Sequence, residues 1–271
     1  MKTLHDHTLI YDDECPACRE YSKAFVKTGM LDTEGRAPFS TMISCDLPQV
    51  DWDRARNEIA MVDRAGHSVR YGVDALLAIV EHNFPFLRPI LRSRPVFFLL
   101  RQLYFLISFN RKVIAPGRVF EGSNTCTPDM NRAYRWAYIA FAWLVTSVIL
   151  VKYFRLGSPI VPESGFVREF AVCAGQLIFQ GGIVWFLRKD RVIHYLGNVM
   201  TVSLAGAILL SPIFLLTGIT HSPWIYIAYF MTVVSWMFFE HKRRVNILEL
   251  PWIVSWTWVL YRFLILFTVI F

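Results

Sequence analysis

The fold class read from this 271-residue sequence is an α/β domain followed by an all-α transmembrane helical bundle of about five spans. Three observations carry that reading. Apolar runs of about 18 to 24 residues, enough to cross roughly 30 Å of hydrocarbon, recur from Trp136 to Phe271. The first 135 residues mix short apolar strands with amphipathic helices. Between the first strand and first helix, in Leu9-Ile10-Tyr11-Asp12-Asp13-Glu14-Cys15-Pro16-Ala17-Cys18, two thiols stand three apart.

In chain order, Thr8–Asp12 reads as a short buried strand. Pro16 opens a helix to about Lys27, stopped by Gly29; proline at the first turn costs nothing because those N–H groups have no intrahelical partner. Phe39–Ile43 is expected as a second strand. Ile59–Asp63 and Ser68–Tyr71 read as two more strands around Arg64-Ala65-Gly66-His67, and Asp74–His82 as a helix with Leu76, Leu77, Ile79 and Val80 on its apolar side. Strand, helix, strand, hairpin, helix is the order of a thioredoxin-like α/β domain, with its core in 1–83. From Phe84 to Asn110, Arg88, Arg92, Arg94 and Arg101 sit among Phe and Leu, and Pro89 and Pro95 divide the stretch. Four arginines are costly in hydrocarbon, so residues 84–135 are read as amphipathic interfacial helices and a connector completing the head, the alternative being helices that merely pack on the domain. Within 136–271, spans are expected at Trp136–Phe154, Phe166–Leu187, Ile193–Leu216, Pro223–Phe239 and Pro251–Phe271.

Charge follows the same division. Residues 1–81 hold 9 Lys and Arg against 14 Asp and Glu, residues 82–135 hold 9 against 2, and residues 136–271 hold 10 against 5. An acidic head with a basic connector and basic loops fits membrane lipids as partner, not nucleic acid. The turns Arg188-Lys189-Asp190-Arg191 and His241-Lys242-Arg243-Arg244 are basic, whereas Thr217–Pro223 has no Lys or Arg. By the positive-inside rule this is a multi-pass inner-membrane protein with its N-terminal domain cytoplasmic and its C-terminus outside. The first apolar stretch, Thr8–Tyr11, is too short for a signal-peptide core, which agrees with a head in the reducing cytoplasm.

The chemistry is expected at Asp12, Cys15 and Cys18. Cysteines spaced C-x-x-C at a helix start present both sulfurs on one side of the first turn, and the helix N-terminus favours a thiolate. Cys15, at the end taken as more exposed, is the expected nucleophile and Cys18 the resolving thiol, with Asp12 and Asp13 near enough to exchange protons. Asp12 and Asp13 would also oppose thiolate formation, so their net effect is open. A zinc site is the rival, but it needs four ligands and no second C-x-x-C exists; a purely structural pair is the third reading. No cofactor is called for beyond a redox-active Cys15–Cys18 disulfide.

The run Tyr11-Asp12-x-x-Cys15-Pro16-x-Cys18 resembles the DCC family of thiol–disulfide oxidoreductases, named for its Asp-x-x-Cys-x-x-Cys signature. Tyr71-Gly72-Val73-Asp74-Ala75-Leu76, Asn110-Arg111-Lys112 and Cys126-Thr127-Pro128 resemble later elements of that family, so the likeness covers about residues 7–130. It implies a thioredoxin-like fold and thiol redox activity. One departure concerns thioredoxins proper: Asn57-Glu58, not proline, precede Ile59, which points to a dedicated protein thiol or disulfide partner instead of broad exchange.

Inside the spans, Glu169, Cys173, Gln176 and Gln180 share one helical face, as do His194, Asn198 and Thr201. Such stripes face neighbouring helices or a quinone, lipid or ion site, and interhelical hydrogen bonding is the simpler reading. Arg262 is expected to snorkel or to pair with an acid such as Glu169. Cys45 and Cys126 are read as buried fillers. The function class that competes with an oxidoreductase is a non-enzymatic assembly or scaffold subunit of a membrane complex with a docking head.

Overall fold

The computed structural model describes residues 2–43, 45, 47–64, 68–116, 126–158, 160, 162, 165–215 and 222–270, the last three without their side chains. The chain divides into two compact units, Met1–Tyr134 and Arg135–Phe271.

The first unit is built on a four-stranded mixed sheet. Its strands are β1 (His7–Tyr11), β2 (Arg36–Pro38), β3 (Ala60–Asp63) and β4 (Val69–Tyr71), in the order β2-β1-β3-β4. β1 runs parallel to β2, with Ile10 opposite Ala37, and antiparallel to β3, with Leu9 opposite Met61; β3 and β4 are antiparallel. The parallel pair requires a crossover, which α1 (Pro16–Lys27) supplies. The period-two alternation of strand side chains fills both faces. Leu9 and Met61 pack with Leu31, Ile59, Ala75, Ala78 and Ile79, the last three from α4 (Gly72–Asn83). Ile10, Ala60 and Val62 face the other way, against Phe39, Val50, Ala55 and Cys126. α1 ends at Thr28, and Gly29 takes φ 73°, a left-handed turn open to glycine without strain.

One strand is displaced from its expected place. Phe39–Ile43 is not a strand: residues Phe39–Met42 form a short helix, α2, and the strand is the preceding Arg36–Pro38. Asp13 explains the change, because its carboxylate accepts from Ser40 N at 3.3 Å and from Ser40 Oγ at 2.8 Å, which draws that backbone out of the sheet. Residues Trp52–Asn57 form a further helix, α3, capped by Asp51 accepting from Arg54 N. The Arg-rich stretch breaks at its prolines into a 3-10 turn at Pro85–Leu87, α5 (Arg88–Leu91) and α6 (Arg94–Ser108), followed by α7 (Arg111–Ile114). Residues 65–67 of the expected β3–β4 turn lie outside the described residues.

The second unit is all helical: α8 (Arg132–Phe154, whose first three residues belong to the first unit), α9 (Phe166–Leu187), α10 (Val192–Leu210), α11 (Pro223–Ile247) and α12 (Ile253–Ile270). Helices thus stand at all five expected places. Among the described residues, three stretches, Arg132–Gly157, Phe166–Leu187 and Lys189–Leu215, are long and apolar enough to cross a membrane; Ile253–Phe267 is a shorter apolar helix. His241–Arg244 is not a turn, since α11 continues through it to Ile247. Glu240 holds it helical by accepting from Arg243 at 2.7 Å and Arg244 at 2.8 Å, one turn on. Residues 217–221, where an uncharged turn is expected, lie outside the described residues. α10 is the most enclosed helix, and Tyr195, Val199 and Val202 join Val184, Val233, Val254 and Trp258 in the core.

Candidate functional site

The turn between β1 and α1 brings Asp12, Cys15 and Cys18 together. Cys15 is the N-cap of α1 in extended conformation, and its sulfur accepts from Cys18 N at 3.4 Å. An N-cap acceptor is ordinarily an oxygen; here a sulfur takes that place. Both thiols are free. The Cys18 thiol also hydrogen-bonds the Cys15 sulfur, and these contacts lower Cys15 to about 7 against the opposing effects of burial and the Asp12 charge, with Arg111 assisting. The same shared hydrogen bond, then burial and the Cys15 charge, push Cys18 far up. The two sulfurs are therefore unlike: one holds negative charge near neutral pH and the other holds its proton.

Their exposure departs from expectation. Cys15 is fully buried and Cys18 is 8% exposed, so the residue expected at the more exposed end is the more enclosed of the two. Cys45, expected to be buried, is exposed; Cys126 is buried.

Asp12 is itself buried and fully committed. Its Oδ1 accepts from Glu14 N at 3.0 Å and Cys15 N at 3.2 Å, fixing the turn. Its Oδ2 receives Arg111 Nε at 2.8 Å, with Lys112 Nζ at 3.6 Å. Lys112 also meets the buried Glu14 carboxylate at 2.6 Å. Arg111, from α7, reaches further: its Nη2 donates to Arg56 O and Cys126 O, both at 2.7 Å, and lies 3.3 Å from Cys126 Sγ. Its Nη1 donates to Ser108 O and, at 3.5 Å, to Asn57 O. One guanidinium thus ties the carboxylate beneath Cys15 to the segment entering β3, where no proline stands. Burial works against the Arg111 cation, but the Asp12 carboxylate, together with Cys126 and Cys18 once they ionise at high pH, outweighs it and raises its pKa. Burial pushes the Cys126 thiol up to about 12, so it stays protonated.

Arg111, Lys112 and Glu14 are not among the expected site residues. The sign of the two cations lies in Asn110-Arg111-Lys112, and that of their surroundings in Cys126-Thr127-Pro128, two runs that enter the sequence reading through their family likeness alone.

An Asp12 oxygen and the two sulfurs lie within 4.8 Å of one another, the one cluster of three or more such donors among the described residues. A cation placed there would face the Arg111 guanidinium and a carboxylate already accepting three hydrogen bonds, and it would have one ligand fewer than tetrahedral zinc takes.

In the second unit, Glu169, Cys173, Gln176 and Gln180 all lie on the buried side of α9. Gln180 Nε2 donates to Thr257 Oγ1 at 3.4 Å, and its Oε1 accepts from Tyr195 OH at 2.8 Å. Tyr195 has one proton and gives it to Gln180, so His241 Nε2, 2.9 Å away, is the donor to the Tyr195 oxygen. Asn198 Oδ1 accepts from Arg244 Nη1 at 2.9 Å, Thr201 Oγ1 meets Tyr138 OH at 2.8 Å, and His194 is half-buried, its carbonyl accepting from Asn198 Nδ2. Glu169 meets Arg168 at 3.2 Å, while the Arg262 guanidinium lies 5.0 Å from the Trp258 ring centroid. Of the two stripes, Gln180 reaches α10 and α12, Asn198 reaches α11 and Thr201 reaches α8, whereas the Glu169–Arg168 pair and the His194–Asn198 bond stay within their own helices.

No protein-family model, no curated protein and no solved structure matches this chain.

Proposed function

We propose that the chain is a membrane-anchored thiol–disulfide oxidoreductase of thioredoxin-like fold, acting through Cys15 and Cys18 on a dedicated protein partner. The strand order β2-β1-β3-β4 with a parallel β1–β2 pair supports the fold reading. The observation that carries the chemistry is the geometry of the pair at the start of α1: the Cys15 sulfur sits at the N-cap and accepts from Cys18 N at 3.4 Å, contacts that favour its thiolate while Cys18 keeps its proton.

In the reducing direction, the Cys15 thiolate attacks one sulfur of a partner disulfide. The partner's S–S bond breaks, a Cys15–partner disulfide forms, and the departing partner sulfur takes a proton. Cys18 then loses its proton, attacks the Cys15 sulfur and releases the second partner thiol. The partner disulfide has been reduced by two electrons and the Cys15–Cys18 pair oxidised; a thiol reductant of the cell restores it, and the same steps run backwards oxidise a dithiol. Cys15 lies under cover, so a partner must displace that cover to reach it. This favours one dedicated partner over broad exchange.

Cys18→Ser, isolated from cells under non-reducing conditions, is expected to carry a covalent partner that a thiol reductant releases and Cys15→Ser lacks. An empty Cys18→Ser, or stoichiometric zinc lost on replacing either cysteine, would overturn the reading.

A further inference from the structure

We infer that the outer face of α5 and α6 is a lipid-binding surface that seats the head on an anionic leaflet. Leu99, Leu103 and Ile107 follow one another at steps of four along α6 and are 58%, 44% and 58% exposed. Phe98 beside them, and Phe86 and Ile90 in the preceding turns, are 64%, 71% and 58% exposed. In water this contiguous apolar face would be a liability; at a bilayer interface it is the buried side of an amphipathic helix.

Charge selects the occupant. Residues 85–108 contain Arg88, Arg92, Arg94 and Arg101 and no Asp or Glu. Arg92 is drawn inward to Asp74 and Glu81. Arg88, Arg94 and Arg101 are exposed and form no ion pair among the described residues. Cations bordering an apolar stripe match phosphate headgroups above acyl chains.

Position selects it as well. α6 is fastened to the first turn of α8: Tyr134 OH donates to Gln102 Oε1 at 3.0 Å, its ring stacks on Phe109 at 5.2 Å, and its carbonyl accepts from Asn110 Nδ2 at 3.0 Å. α8 opens a stretch long and apolar enough to cross a membrane. α6 is thereby tied, within the first unit, to the point in the chain where such a segment begins. The inference rests on the membrane reading of α8 and is independent of the thiol chemistry.

The test uses the full-length protein in nanodiscs of phosphatidylcholine containing phosphatidylglycerol, with a photoactivatable diazirine in the acyl chain of one lipid or the other, and the labelled peptides identified by mass spectrometry. Label is expected on the peptide holding Phe98–Ile107, more from phosphatidylglycerol than from phosphatidylcholine. The variant Arg88→Gln/Arg94→Gln/Arg101→Gln is expected to lose that preference by about tenfold or more, since each basic residue near an anionic surface contributes. Those arginines are exposed, so the variant should fold; amide exchange along α6 of the unaltered protein, slowed by the anionic lipid, is the second readout. Label confined to the other helices, or equal labelling by both lipids, would overturn the inference. Cys15→Ser/Cys18→Ser should label like the unaltered chain.

Discussion

Asp12 has two effects on Cys15 that pull apart, and a single substitution separates them. Its Oδ1 shapes the turn by accepting from Glu14 N and Cys15 N, while its charge opposes ionisation of the Cys15 thiol. Asparagine keeps an oxygen at that place and removes the charge. A thiol's pKa falls when a neighbouring anion is withdrawn, so Asp12→Asn should shift the Cys15 titration below its starting value of about 7. Alkylation of Cys15 by iodoacetamide, followed by mass spectrometry across pH, reads this through the pH midpoint of the rate: only the thiolate reacts, and opening of the cover over the buried Cys15 scales the rate at every pH. The unaltered protein should show a rate rising through about pH 7, and Asp12→Asn the same curve displaced to lower pH. The substitution also leaves the Arg111 guanidinium without its carboxylate. Breaking a buried pair from one side costs about 3–5 kcal/mol, so a lower unfolding temperature should accompany the shift. A midpoint that stays put or rises would mean that Asp12 does not act on Cys15 through charge.

At the scale of elements, what the sequence makes legible is what local pattern controls. β1, α1, β3, β4 and α4 fall within a residue or two of their expected places, because strand alternation, Pro16 and Gly29 are local marks. The segment opening at Phe39 departs from its expected strand because Asp13, distant in the chain, decides the backbone of Ser40. The Arg111 clasp is illegible for the same reason: Arg111 joins Asp12 across almost the whole head, and arginine is rarely so buried that a core role would be guessed. In the bundle the polar faces are legible, since helical period fixes them, but their partners are not. The row Thr257–Gln180–Tyr195–His241 links α9, α10, α11 and α12. Tyr195→Phe removes its middle, leaving Gln180 Oε1 and His241 Nε2 without that partner. Stability of the detergent-solubilised protein should fall by about 1–2 kcal/mol, the worth of such contacts between helices in apolar surroundings. A phenylalanine variant as stable as the parent would show that the row is not needed for packing.

For the whole molecule, the open quantity is how many helices cross. Three crossings, by the stretches opening with α8, α9 and α10, and five, with α11 and α12 added, both put the C-terminus opposite the N-terminus, so a reporter at the C-terminus cannot tell them apart. The turn from Leu248 to Trp252 between α11 and α12 can. With five crossings it lies on the side of the head; with three it lies opposite. The chain's charge argues for five. Lys242, Arg243 and Arg244 end α11 just before this turn, and Arg188, Lys189 and Arg191 sit between α9 and α10, so five crossings place both basic clusters on one side with the head. Three crossings would put Lys242, Arg243 and Arg244 across the membrane, against the rule. A protease site inserted after Glu249 in the full-length protein should therefore be cut only when the protease has access to the face that carries the head, as judged by the appearance of a fragment ending at that site, with cleavage within the head itself marking which face is open. Cleavage from the opposite face alone would reduce the crossings to three and leave α11 and α12 lying on the far surface.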